Sequence, residues 1–184
     1  MLSLCLYTIL VFTGFFTSSY LLLLTSIADY FLIFTDWYLP GIVVFILVQM
    51  GYRRLLGTGT LPLLFFICLV FFLCILFFPA ADLLVILAFC YGICLMANLI
   101  CSLRRRRFDY FGFFLLLLVC DLHVGLANLN SYYSLPQGIL YSYQQAVPPW
   151  IFWIFYLPSQ LILARMLLSE NPRKNLLRIS SSPR

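Results

Sequence analysis

Charge is scarce in this sequence. Only 9% of its 184 residues are Asp, Glu, Lys or Arg, against roughly 25% in an average soluble chain. Histidine occurs once, at His123. No CxxC pair and no Cys/His cluster is present, so a zinc site is excluded and no metal is expected. No GxSxG elbow is present either, which removes the usual Ser–His–Asp hydrolase. What fills the space is apolar: 64% of the residues are hydrophobic. That is more apolar surface than a soluble domain of this length can bury, so lipid is the expected solvent for much of it. The seven cysteines all fall in apolar stretches and read as small packing residues.

The apolar runs have the length of membrane spans, about 20 residues each. Seven are expected: Leu2–Phe16, Ser18–Thr35, Trp37–Leu55, Leu61–Phe78, Ala81–Leu103, Arg107–Leu129 and Pro149–Leu168. The first two form one run, divided at Thr17–Ser18–Ser19 because a single helix of that length would overshoot a bilayer by about half. Six to eight helices are compatible with the sequence. The fold class is therefore all-α, a polytopic transmembrane helical bundle. A single domain spans residues 1–168, followed by a polar basic tail over 169–184.

The few basic residues fix an orientation. Arg53 and Arg54 follow the third span, Arg104 to Arg107 the fifth, and Arg165, Arg173, Lys174, Arg178 and Arg184 lie at the C-terminal end. With the N-terminus outside and the C-terminus cytoplasmic, all eleven fall on the cytoplasmic side, as the positive-inside rule requires. The clusters are topology determinants that touch anionic headgroups, and no nucleic-acid partner is expected. The outer loops carry Asp36, Asp82 and the stretch Asn130–Val147, with no basic residue. Trp37, Trp150 and Trp153 sit near outer helix ends, as in an interfacial aromatic belt.

A carboxylate inside hydrocarbon is costly, so it marks a function or a buried partner. Asp29 and Asp121 are the two that qualify; Asp36, Asp82 and Asp109 sit at helix ends, where water or a helix N-terminus satisfies them. At about 1.5 Å per residue, Asp29, Asp121 and Tyr156 lie about 9, 12 and 10 Å from the outer ends of their helices, one common layer. Gln49 and Gln160, about 18 Å deep, form a second. Helical spacing puts Asp121, Gly125 and Asn128 on one face, Tyr156 with Gln160, Gln49 with Tyr52, and Tyr91 with Cys94 and Asn98. Single Tyr, Gln and Asn residues of this kind also serve as interhelical packing glue. His123 lies about 200° around the helix from Asp121 and makes a poor catalytic partner for it.

Four segments resemble the YhhN-like lysoplasmalogenase family of membrane proteins. Ile27-Ala28-Asp29-Tyr30-Phe31-Leu32 is similar to its first aspartate motif. Phe45-Ile46-Leu47-Val48-Gln49-Met50-Gly51-Tyr52 is similar to a helix usually reading Ala-His-x-x-Tyr. Leu118-Val119-Cys120-Asp121 resembles its second aspartate motif, usually Ser-Asp, and Phe155-Tyr156-Leu157-Pro158-Ser159-Gln160-Leu161 its Tyr-Tyr-x-x-Gln-Leu helix. The resemblance covers about residues 18–168. Gln49 stands where the family usually has His, Cys120 where it has Ser, and the family usually has eight helices.

The resemblance implies hydrolysis of the vinyl-ether bond of lysoplasmalogens to a fatty aldehyde and a glycerophospho-alcohol, without cofactor. Asp29 and Asp121 would be the catalytic pair, a chemistry that needs a general acid for carbon and a carboxylate to direct water. Gln49, Tyr52, Tyr156 and Gln160 would bind the lipid substrate, joined by Asn128 through its place on the Asp121 face. The competing expectation is a non-catalytic membrane carrier or lipid-binding protein, whose buried aspartates take a proton, a cation or a headgroup. The sequence carries no signal for an oligomeric state.

Overall fold

The computed structural model describes residues 16–35, 37–128, 138, 142–143, 146–148 and 150–169. The first expected span (Phe16 excepted), Cys5, Asp36, most of Asn130–Val147 and the tail beyond residue 169 lie outside the described residues. Six α-helices and no strand occur among the described residues: α1 Phe16–Phe34, α2 Tyr38–Leu55, α3 Leu61–Phe77, α4 Leu83–Arg104, α5 Phe108–Asn128 and α6 Ile151–Ser169. The bounds agree with the apolar runs to within two residues. The Thr17–Ser18–Ser19 divide falls inside α1 and not ahead of it.

The helix ends follow from local chemistry. Asp82 caps α4, its carboxylate accepting the Leu84 N–H at 2.7 Å. Asp109 stands in the first turn of α5, where the helix dipole favours an acid. Helix α2 closes with the Gly57 N–H donating to the Arg54 carbonyl and the Thr58 N–H to that of Arg53. Gly57 takes the left-handed φ of 70° that this closure needs. Helix α4 closes in the same pattern, through the Arg106 and Arg107 N–H groups, but with Arg106 at φ 57°. A side chain in that conformation is strained by roughly 1–2 kcal/mol. Arg106→Gly is therefore expected to stabilise the protein by about 1 kcal/mol, seen as a raised thermal midpoint in detergent.

In space, α5 packs most extensively on α6, α1 on α2, α2 on α4, and α4 on α5; α3 lies against α4. The arc α1–α2–α4–α5–α6 encloses a core of Leu21, Leu22, Val48, Tyr52, Leu95, Phe113, Phe114, Leu117 and Leu163, with further large residues. Tyr52 meets Phe113 edge-on at 5.1 Å between ring centroids, and Phe114 at 5.9 Å. Edge-on packing suits the ring quadrupoles. Leu63 and Ile67 attach α3 to Cys90 and Cys94 of α4.

The close approach of α1 to α2 depends on two glycines. A Cβ at Gly51 would lie 2.1 Å from Leu21 Cδ2, and one at Gly41 would lie 2.8 Å from Leu32. Small residues at a helix crossing let backbones approach closely.

The outer surface is apolar. Leu61, Phe65 and Phe77 on α3 are 76%, 73% and 70% exposed. Thr25, Asp29, Gln49, Asn98, Ser102, Ser159 and Gln160 are buried. Among the described residues two helices, α4 with 22 residues and α5 with 21, are long and apolar enough to cross a membrane by length and composition.

Candidate functional site

Asp29 occupies the inner face of α1, one turn beyond Thr25. It is 6% exposed and accepts a hydrogen bond from the Tyr156 hydroxyl of α6. This contact joins the two ends of the arc. Tyr156 precedes Pro158, which lacks an N–H and so leaves a backbone carbonyl one turn earlier without its helical donor. Ser159 Oγ donates to the Tyr156 carbonyl at 2.7 Å and binds this turn together.

Asp121, on α5, accepts a hydrogen bond from the Tyr91 hydroxyl of α4 at 2.6 Å. That length is typical of an O–H···O⁻ contact. The two carboxyl groups thus arrive from helices far apart in the chain, each held by a tyrosine of a neighbouring helix. They are close enough to act on one another electrostatically, and Asp29 and Asp121 both act on Cys120.

Below this pair lies a polar ladder between α2 and α4. Asn98 donates from Nδ2 to the Gln49 carbonyl at 2.9 Å and to Gln49 Oε1 at 3.0 Å. Asn98 Oδ1 in turn accepts from the Arg53 guanidinium at 3.4 Å. Gln49 lies beside the Tyr91 hydroxyl, linking the ladder to the carboxylate pair. Tyr52 and Thr25 share a hydroxyl–hydroxyl contact at 3.3 Å. Thr25 also donates to the Leu21 carbonyl at 2.8 Å, and so accepts in that contact.

Among the described residues three buried side-chain polar atoms have no hydrogen-bond partner, and two of them, on Gln49 and Gln160, belong to this interior. Among the described residues Gln49 Nε2 reaches no acceptor within hydrogen-bond distance, though the Tyr91 hydroxyl stands beside it, and Gln160 Oε1 receives no donor; both residues are almost wholly buried. Burying a polar group unpaired costs roughly 1–3 kcal/mol. A water or a ligand can satisfy such atoms.

Of the residues singled out by sequence, Asp29, Tyr156, Asp121, Gln49 and Tyr52 are brought into or beside this interior. Gln160 is buried one turn beyond Tyr156. Asn128 is not part of it. It is exposed at the last residue of α5, and its Nδ2 donates to the Val124 carbonyl of its own helix at 2.8 Å. Gly125, on the same expected face, meets open space. His123 also stands apart, with Nδ1 2.7 Å from the Val119 carbonyl and its ring 5.3 Å from that of Phe155.

Tyr91, Asn98, Thr25 and Arg53 are the residues whose roles sequence reasoning missed. Tyr91 and Asn98 carried a signal, their shared face on α4 with Cys94; their partners on other helices did not show. Among the described residues no group of three or more His, Cys, Asp or Glu side chains could hold a metal ion. Comparison with known protein families, with curated proteins and with solved structures gave no match to this chain.

Proposed function

We propose that this chain is a multi-pass membrane protein of about seven helices, N-terminus outside and C-terminus cytoplasmic. We propose further that it hydrolyses the vinyl-ether bond of lysoplasmalogens inside its bundle. The apolar outer surface and buried polar interior support the first part, since a water-soluble fold arranges these the other way round. The convergence of Asp29 and Asp121, each with a tyrosine donor, carries the second. The motif resemblance of the four segments supplies the substrate class.

The chemistry needs few groups. With one proton held between them, the two carboxyl groups supply an acid and a base at once. The acid delivers its proton to the vinyl carbon remote from oxygen, and the C=C electron pair forms the new C–H bond. The adjacent carbon becomes an oxocarbenium ion, stabilised by the carboxylate facing it. The second carboxylate takes a proton from water as that water adds to the cation, giving a hemiacetal. The C–O bond to glycerol then breaks. The leaving oxygen takes the proton from the second aspartic acid, and the hemiacetal hydroxyl returns one to the first. Aldehyde and glycerophospho-alcohol leave with both carboxyl groups restored.

Tyr91 and Tyr156 hold the two carboxyl groups in place. Gln49 and Gln160 offer a free donor and a free acceptor to the substrate's glycerol oxygens or to the attacking water.

The test is release of long-chain aldehyde from a lysoplasmalogen by the purified protein in detergent or lipid nanodiscs, across about pH 5–8. Aldehyde production above a heat-treated control is expected. None across the range removes the hydrolase reading. Gln49, which cannot exchange protons where the family usually has His, favours a lipid carrier as the second reading. Lipid transfer between proteoliposomes that is lost in Asp29→Asn, with no aldehyde formed, would establish that one.

A further inference from the structure

Arg53 and Arg54 end the same helix and differ in environment. Arg54 is exposed, as a residue serving only membrane orientation would be. Arg53 is half-buried and turns back along α2, its Nε donating to the Gly59 carbonyl at 3.2 Å and its terminal nitrogen to Asn98 Oδ1 at 3.4 Å. Among the described residues no carboxylate pairs with it. A guanidinium has five N–H donors, and these bonds use two of them. A partly buried cation served only by neutral oxygens has capacity left for an anion.

Gln49 stands one turn earlier, on the same face of α2, about 6 Å along the axis. Its buried Nε2 is the unpartnered donor described above. Asn98 fixes both residues, donating to one and accepting from the other. The unsatisfied atom in this ladder and the spare N–H groups of its guanidinium are donors, which suits an anionic, oxygen-rich ligand. Asn98 lies seven residues from Tyr91 on α4, about 10 Å along the axis. The guanidinium is thus set below the carboxylate pair by about the length of a glycerol unit with its phosphate.

We infer that Arg53, with Gln49 one turn above it, is the recognition site for the phosphate-bearing headgroup of a single-chain lysophospholipid, the phosphate on the Arg53 guanidinium and a glycerol oxygen on Gln49 Nε2. This inference rests on the proposed function for the direction in which the lipid lies. Its reacting bond faces Asp29 and Asp121, and its phosphate faces the Arg53 end of the bundle. The site makes the protein a reader of phosphate: an alkenyl glycerol without one would reach the carboxylates and lose its anchor.

Binding to the full chain in nanodiscs tests this without requiring turnover. The probes are a 1-O-alkyl lysophosphoethanolamine, which has no vinyl bond to cleave, the matching 1-O-alkyl glycerol, and inorganic phosphate. Wild type is expected to bind the lysophospholipid about 10- to 100-fold more tightly than the alkyl glycerol, the worth of a charge-assisted contact. Arg53→Ala is expected to erase that preference, and Arg53→Lys to keep part of it. Arg54→Ala should leave it unchanged. Arg53→Gln keeps a donor for Asn98 Oδ1 without the charge; it should also lose the preference, with helix content and elution volume as in wild type.

Equal binding of both lipids by wild type, or an undiminished preference in folded Arg53→Gln, overturns the site. Inorganic phosphate binding as tightly as the lysophospholipid overturns the lipid assignment. Phosphate-dependent binding without aldehyde release from a vinyl substrate counts against the hydrolase alone. Aldehyde release with the same headgroup preference in Arg53→Gln counts against the phosphate site alone.

Discussion

Asp29→Asn and Asp121→Asn are each expected to lower aldehyde release from a lysoplasmalogen by about 10²- to 10⁴-fold, the usual contribution of a positioned acid or base. An amide keeps the size and planarity of the carboxyl group but can neither deliver nor take up the proton. Each variant also retains an acceptor oxygen for its tyrosine, so the Tyr156 and Tyr91 contacts have something to hold. The loss should therefore appear in kcat, with KM and thermal midpoint little changed. The same two substitutions should leave the phosphate-dependent binding of an alkyl lysophospholipid largely intact, because that depends on the Arg53 end of the ladder. Full activity in either variant would remove the two-carboxylate mechanism while leaving hydrolysis itself standing.

Gly51→Val is expected to be the most damaging change to the scaffold. Even the Cβ of a new side chain would lie 2.1 Å from Leu21 Cδ2, and Leu21 is itself wholly buried, with little room to move. Either Leu21 leaves its rotamer or α1 moves away from α2. Overpacking of this kind costs roughly 1–3 kcal/mol, and the γ-methyl groups of Val add to it. The consequence reaches the site, because α1 carries Asp29 and α2 carries Gln49 and Tyr52. A fall in thermal midpoint, with loss of folded protein at the temperature where wild type is stable, checks this. Gly125→Ala is the matched control: nothing among the described residues lies within 4 Å of a Cβ there, so it should be nearly neutral.

The helices were legible because punctuation in this sequence is sharp. Arg53-Arg54 followed by Gly57 and Gly59 ends one run, Pro79 and Asp82 separate two more, and Arg104 to Arg107 divide the longest pair. The two aspartates were legible because charge is costly away from water, so their positions alone set them apart. Their tyrosine partners were not legible as partners. Tyr91 reaches Asp121 because α4 packs on α5, and no periodicity along one helix states which helix lies next to it. Asn128 shows the reverse case. Spacing of i and i+7 put it on the Asp121 face, but the side chain is exposed and turns back to the Val124 carbonyl. Arg53 was read only as a sign of orientation, since its difference from Arg54 arises from Asn98, far away in the chain.

The proposed hydrolysis requires Asp29 and Asp121 to work as one unit. Aldehyde release by the Asp29→Asn/Asp121→Asn double variant, set beside the two single variants and wild type, measures that directly. If the carboxyl groups share one reaction, the first substitution removes what the second would have removed, and the double variant should be no slower than the slower single, within about threefold. Losses that multiply across the two sites would show that the aspartates act independently, and would contradict the shared site.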